Sequence, residues 1–125
     1  MTIQKALDML DSMKPNMMDR SVKIEFLNQI ENLIFDELVM RHEHTAAQET
    51  APSYDEDTDL ATEMLIPSPY DMLYVYWLMT QIDHINMEFD KYNNDRTMFE
   101  TAYDTASDWY TRNHMPLSAG REFLP

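Results

Sequence analysis

Apolar residues recur every three or four positions along most of this chain, and that period predicts helices. From Thr2 to Met13, the side chains of Ile3, Ala6, Leu7, Leu10 and Met13 fall on one stripe. Pro15 ends this short segment, and Asn16 suits the turn that follows. A second helix is expected to start near Asp19 or Ser21, either of which can cap free backbone amides, and to run to about His42. Ile24, Leu27, Ile30, Ile34 and Leu38 trace its buried face, and Phe26, Leu33, Phe35 and Val39 broaden it. Lys23, Glu25, Asn28, Glu31, Asn32 and Asp36 read as the solvated face.

The period disappears between Glu43 and Glu63, a stretch with seven acids and no bases. It reads as a mobile linker or extended arm, ordered only with a partner. Met64, Leu65 and Ile66 close it. A third helix is expected from Ser68 as cap, with Pro69 in the first helical position and Asp71 completing a capping box. Met72 to Met79 carries no charge and is apolar or aromatic all round, so it must lie centrally or be covered by neighbouring copies. Ile82, Ile85, Phe89 and Tyr92 extend that stripe, and Asn93-Asn94-Asp95 is expected to interrupt or kink the helix. A last helix carries Phe99, Ala102, Tyr103, Ala106, Trp109 and Tyr110 to about Asn113-His114, followed by a flexible tail over 116–125 with Phe123 and Leu124.

The fold class that follows is all-α: one domain over 1–125, a small bundle of about four helices with a long acidic linker between the second and third. Only one glycine, Gly120, is present, which disfavours the tight turns of sheet proteins. The net charge of -14, with no Lys or Arg between Arg41 and Lys91, disfavours a grip on nucleic acid or on an anionic membrane. Cysteine is absent, which removes disulfides and thiolate metal sites. With no apolar signal core behind Met1 and no run of spanning length, the chain is expected in a cytoplasm or a particle assembled there. Twelve methionines fit either core filling or a surface that adapts to a partner.

Candidate chemistry is sparse. Asp55, Glu56, Asp57 and Asp59 imitate the start of a calcium loop, but Leu60 replaces the glycine at its sixth position and Ile66 the closing glutamate, so the run reads as a solvated acidic linker. His42-Glu43-His44 lacks metal-ligand spacing, because Ala46 stands where the second histidine of the zinc-protease signature belongs; it reads as a frayed helix end. His84 and His114 have no partner at ligand spacing. The acids are expected on polar faces, where nothing shifts them, and neither a phosphate loop nor a nucleophile elbow is present. The expectation is therefore no enzyme and no cofactor. Met72, Leu73, Tyr74, Tyr76, Trp77 and Met79 are the candidate subunit or partner interface, with Tyr103, Trp109 and Tyr110 as core or interface aromatics.

Three blocks carry a resemblance: Leu10, Lys14, Pro15 and Asn16 before the helix through Ile24 and Leu27; Leu65-Ile66-Pro67-Ser68-Pro69-Tyr70-Asp71-Met72-Leu73-Tyr74, continuing through Asp83 and Glu88 to Asn94; and Tyr110-Thr111-Arg112-Asn113-His114-Met115-Pro116. They resemble small proteins of phages and prophages of Gram-positive bacteria. In layout the chain is similar to the head–tail connectors, or adaptors, of long-tailed phages. That resemblance implies a structural virion protein of the neck, forming a ring of about twelve copies beneath the portal and docking the next neck or tail protein. It carries no catalytic residues. The other readings are an acidic DNA mimic that inhibits a host DNA-binding protein, and another tail-completion or tail-assembly component.

Overall fold

The computed structural model describes residues 1–117, and among them the chain is helical with no strand, in keeping with the expected all-α bundle. The four helices are α1 (Ile3–Met13), α2 (Arg20–Ile34), α3 (Leu73–Ile85) and α4 (Phe89–Asn113). In α1 the Thr2 hydroxyl accepts from the Lys5 amide at 3.1 Å, so one exposed amide of the first turn is satisfied by a side chain. The apolar stripe then buries Ile3, Ala6, Leu7 and Leu10.

Helix α2 buries Ile24, Leu27, Ile30 and Ile34 as the spacing predicts. Its continuation is a single π-helical turn, Phe35–Val39, closed by the Met40 amide donating to the Phe35 carbonyl at 3.0 Å. Two residues read as solvated lie inside. Lys23 and Glu31 are both buried, and Glu31 has no exposed surface.

Helix α3 packs against each of the other three. Trp77 Nε1 donates to the Phe26 carbonyl at 2.9 Å and Tyr74 reaches Glu31 five residues further along α2, so α2 and α3 run antiparallel. Ile3, Leu10, Ile24, Leu27, Leu73, Leu78 and Ile82 meet between the helices. Each such side chain withdrawn from water stabilises the fold by about 1.5–3 kcal/mol before ordering costs.

Two expected boundaries move. Helix α3 starts at Leu73, not at Ser68–Pro69, because Asp71 does not turn back to cap. Its carboxylate lies 3.0 Å from the backbone nitrogen of Met1 instead. Asn93-Asn94-Asp95 neither interrupts nor kinks a helix but lies within α4; the break falls at Asn86–Glu88. There the Met87 amide donates to the His84 carbonyl at 3.1 Å and the Glu88 amide to the Asp83 carbonyl at 2.9 Å. This is a Schellman closure, with Met87 in the left-handed position at φ 58° where glycine is usual. Asp95 stays helical because its side chain is used inward, on Lys14.

The acidic segment is irregular apart from one 3₁₀ turn at Ala46–Glu49, and it lies along the bundle. Tyr54 is buried, its amide donating to Asn28 Oδ1 at 2.8 Å. The chain then returns to the start of α1, where the amides of Ile3 and Gln4 donate to the carbonyls of Thr62 and Leu60. Of the expected tail, the Leu117 amide donates to the Arg41 carbonyl at 3.0 Å, and just before the tail the Met115 carbonyl accepts from the Glu43 amide at 2.8 Å. Phe123 and Leu124 lie outside the described residues.

Candidate docking surface

Three ion-paired contacts gather the helix ends at one end of the bundle. Lys14, just past α1, sets its ammonium 2.5 Å from Asp83 Oδ1 on α3 and 3.2 Å from Asp95 Oδ2 on α4. Lys23, in the first turn of α2, reaches Asp11 on α1 at 2.9 Å. Asp83 Oδ2 and Asp95 Oδ2 are buried without a hydrogen-bond donor. A proton on Asp83 would set a donor beside Asp95. Burial pushes the Asp83 carboxyl up to about 6, and the neighbouring Asp95 adds to the rise. Burial alone would lower Lys14, but the hydrogen bond to Asp83 and the attraction of both carboxylates for its ammonium hold it above the ordinary lysine range.

The outer surface of this end sets large apolar side chains among polar ones such as Asn86 and Asp90. Met13 and Met17 flank Lys14, and Ile85, Met87 and Phe89 line the α3–α4 turn; all five are exposed. Met87 is 70% and Phe89 60% exposed, large values for side chains of their kind. Beside them, at the start of α2, Asp19, Arg20, Ser21 and Ile24 form a cleft with Glu56 and Asp57 of the acidic segment. The positive end of the α2 dipole favours acids there. In the run itself, Asp55 Oδ1 accepts from the Asp57 amide at 2.9 Å and from the Thr58 hydroxyl at 3.3 Å, a turn that bends the chain past the helix. Asp59 Oδ1 accepts from the Ala61 amide at 3.0 Å. Among the described residues, no group of three or more metal-binding side chains converges.

The core holds a second polar cluster. Glu31 accepts from the hydroxyls of Tyr54 at 2.7 Å and Tyr74 at 2.6 Å and from the Leu65 amide at 2.9 Å. Burial raises the Glu31 carboxyl above its usual range against the pull of these donors. Burial beside that carboxylate also pushes both phenols upward, so they remain donors. This cluster fastens the middle of the acidic segment and the approach to α3 onto α2.

The residues singled out from sequence divide sharply. Leu73 and Tyr74 have no exposed surface and Met79 is buried, all within one chain. Neighbouring copies are therefore not needed to cover α3, because α1, α2 and α4 already do. Met72, Tyr76 and Trp77 are half-buried around the same helix. Trp109 stacks on Tyr70 at 5.0 Å and Tyr110 on His114 at 3.8 Å, closing the opposite end. His42 is no frayed end: it is buried, its Nδ1 donating to the Leu38 carbonyl at 2.6 Å and its Nε2 3.3 Å from the Thr111 hydroxyl.

Sequence reasoning missed the apolar end because Met13, Ile85 and Phe89 continue stripes that are otherwise buried. It also missed three buried acids, and the spacing does mark two of them. Glu31 stands in the series 24, 27, 31, 34, 38, and Asp95 in the series 95, 99, 102, 106, so both lie on an apolar stripe. Asp83 follows Met72, Tyr76 and Met79 at the same spacing, but in a run apolar all round that spacing singles out no face.

Compared with protein families, curated proteins and solved structures, the chain matches none. Among the described residues, no helix is long and apolar enough to cross a membrane.

Proposed function

We propose that this chain is a structural assembly protein of a tailed phage, a head–tail connector that binds other proteins and catalyses nothing. The observation that carries the binding role is the open apolar end formed by Met13, Met17, Ile85, Met87 and Phe89. A chain of this size encloses α3 by itself and still leaves these large side chains in water. The phage assignment rests on the resemblance of the Leu65–Tyr74 and Tyr110–Pro116 blocks. In that role copies sit side by side beneath the portal through surfaces other than α3, and one end of the bundle is free for the portal or the next neck or tail protein.

Light scattering from micromolar to near-millimolar concentration, alone and with the portal of the phage that carries the gene, tests the reading. The expected result is a closed ring of about twelve copies, alone or on the portal. A monomer in both conditions sinks the connector assignment.

One observation favours a second reading, the acidic inhibitor that imitates DNA. Tyr54 fastens the Asp55-Glu56-Asp57 run to the bundle, which gives its carboxylates a fixed setting. Displacement of DNA from a basic DNA-binding protein, with no ring at any concentration, would favour it.

A further inference from the structure

We infer that the apolar end of the bundle is a docking surface for a basic amphipathic helix of a partner protein. The inference rests on the reading of the chain as a protein-binding component and names the partner's chemistry.

Met87 is the first ground. It closes α3 at φ 58°, in the left-handed region where a side chain crowds its own backbone and glycine is the usual occupant. Such closures are commonly accompanied by an apolar contact between the residues numbered here 83 and 88, but these are Asp83 and Glu88. The Met87 side chain is instead 70% exposed, so burial within the chain does not offset its strained backbone. A contact made outside the chain would.

The neighbours of Met87 define the shape of the surface. Ile85 and Phe89 flank it in sequence, and the Lys14 contacts with Asp83 and Asp95 bring Met13 and Met17 to the same end. Three of these five side chains are methionines, whose flexible and polarisable thioethers adapt to the ridge of an incoming helix.

Charge selects the occupant. The lysines at this end are already engaged, Lys14 by Asp83 and Asp95, Lys23 by Asp11, and Lys91 by Glu88 at 3.2 Å, while Arg20 stands in the cleft against the three acids Asp19, Glu56 and Asp57. Asp19, Glu56, Asp57 and Asp90 form no ion pair among the described residues. The whole chain carries -14, so an acidic partner or a second copy meets repulsion and a basic one is steered in. A helix with leucines on one face and lysines on the other places the first on the methionines and the second over the acidic cleft.

The test uses the full chain and a synthetic peptide of about 18 residues, leucine and lysine at helical spacing, with a leucine–glutamate peptide of the same pattern as control. Titration calorimetry at physiological salt reads the affinities. The wild-type chain is expected to bind the lysine peptide and not the glutamate peptide. The double variant Met87→Gly, Phe89→Ser, which changes no charge, is expected to weaken binding at least tenfold. Circular dichroism melting of Met87→Gly alone keeps the result interpretable, since that change relieves the turn and leaves the fold intact. Equal binding by wild type and double variant would mean that charge alone acts, and would overturn the inference. So would self-association that the double variant abolishes, which makes a second copy the occupant. A ring that forms normally while peptide binding ignores Met87 and Phe89 defeats this inference and leaves the connector reading standing.

Discussion

Tyr74 donates its hydroxyl proton to Glu31 Oε1 at 2.6 Å, joining the first turn of α3 to the last turn of α2 in a place without water access. The same hydroxyl accepts from the Ile66 amide at 3.0 Å, so one oxygen serves the core and the approach to α3 together. Tyr74→Phe removes both bonds. A buried carboxylate oxygen and a buried amide each left unmet cost about 1–3 kcal/mol, so a total loss near 3 kcal/mol is expected in urea unfolding. Tyr54→Phe should cost less, because the Leu65 amide still serves Glu31 Oε2. Its signature is instead faster amide exchange over residues 50–60.

Asp83 gives stability a distinctive dependence on pH. Its carboxyl is raised from the ordinary aspartate value of 3.8 to about 6, so between those values the folded chain holds a proton that the unfolded chain has released. Stability therefore falls as pH climbs from about 4 to about 6, the reverse of the usual paired carboxylate. Glu31, also raised by burial, contributes in the same direction above the ordinary glutamate range. Asp83→Asn fixes a neutral group that can donate to Asp95. Its unfolding free energy between pH 4 and 6.5 should show a flatter decline than the wild type; an equal slope would place the titration elsewhere.

Lys14 holds two buried acids from two other helices. Lys14→Met keeps most of the side-chain length and removes the charge, leaving Asp83 and Asp95 facing each other without a cation. Breaking a buried pair in this way costs about 3–5 kcal/mol, and the value here should lie near the lower figure because the ammonium is partly open to water. Guanidinium unfolding reads the loss, and Asp83→Asn in the same chain should recover part of it.

Met87→Gly should stabilise. Releasing a side chain from the left-handed region returns about 1–2 kcal/mol, and the greater freedom of glycine in the unfolded chain takes back about half. A gain of about 0.5–1 kcal/mol is expected in denaturant unfolding. No gain would mean that the turn carries no strain at this position.

Helices α1 and α2 were legible because their stripes are regular and because Thr2 and Asp19 precede them, although Asp19 makes no side-chain bond to the helix. The central helix was legible as a centre: an uncharged run from Met72 to Met79 can only be enclosed. What encloses it was not, since tertiary packing by the same chain and by its copies leaves the same pattern in sequence. The α3–α4 break was misplaced because Asn93-Asn94-Asp95 has turn composition, while the true turn at Asn86–Glu88 has no glycine. Glu31, Asp83 and Asp95 were hidden by a general expectation that acids face water. Their partners, Tyr74, Tyr54 and Lys14, stand 23 to 81 positions away, from Tyr54 and Glu31 at the near extreme to Lys14 and Asp95 at the far one, beyond any local window. The exposed end was hidden for the opposite reason, because an apolar residue continuing a stripe looks buried.

The π turn at Phe35–Val39 widens the last turn of the α2 rod before the chain leaves it at Met40. Before it, α2 carries the buried Ile24, Leu27 and Ile30 toward the core; within it Glu37 meets Tyr103, and beyond it His42 meets Thr111, both on α4. A single continuous segment thus addresses two neighbours in succession, as a key cut on two sides fits a lock with two rows of pins.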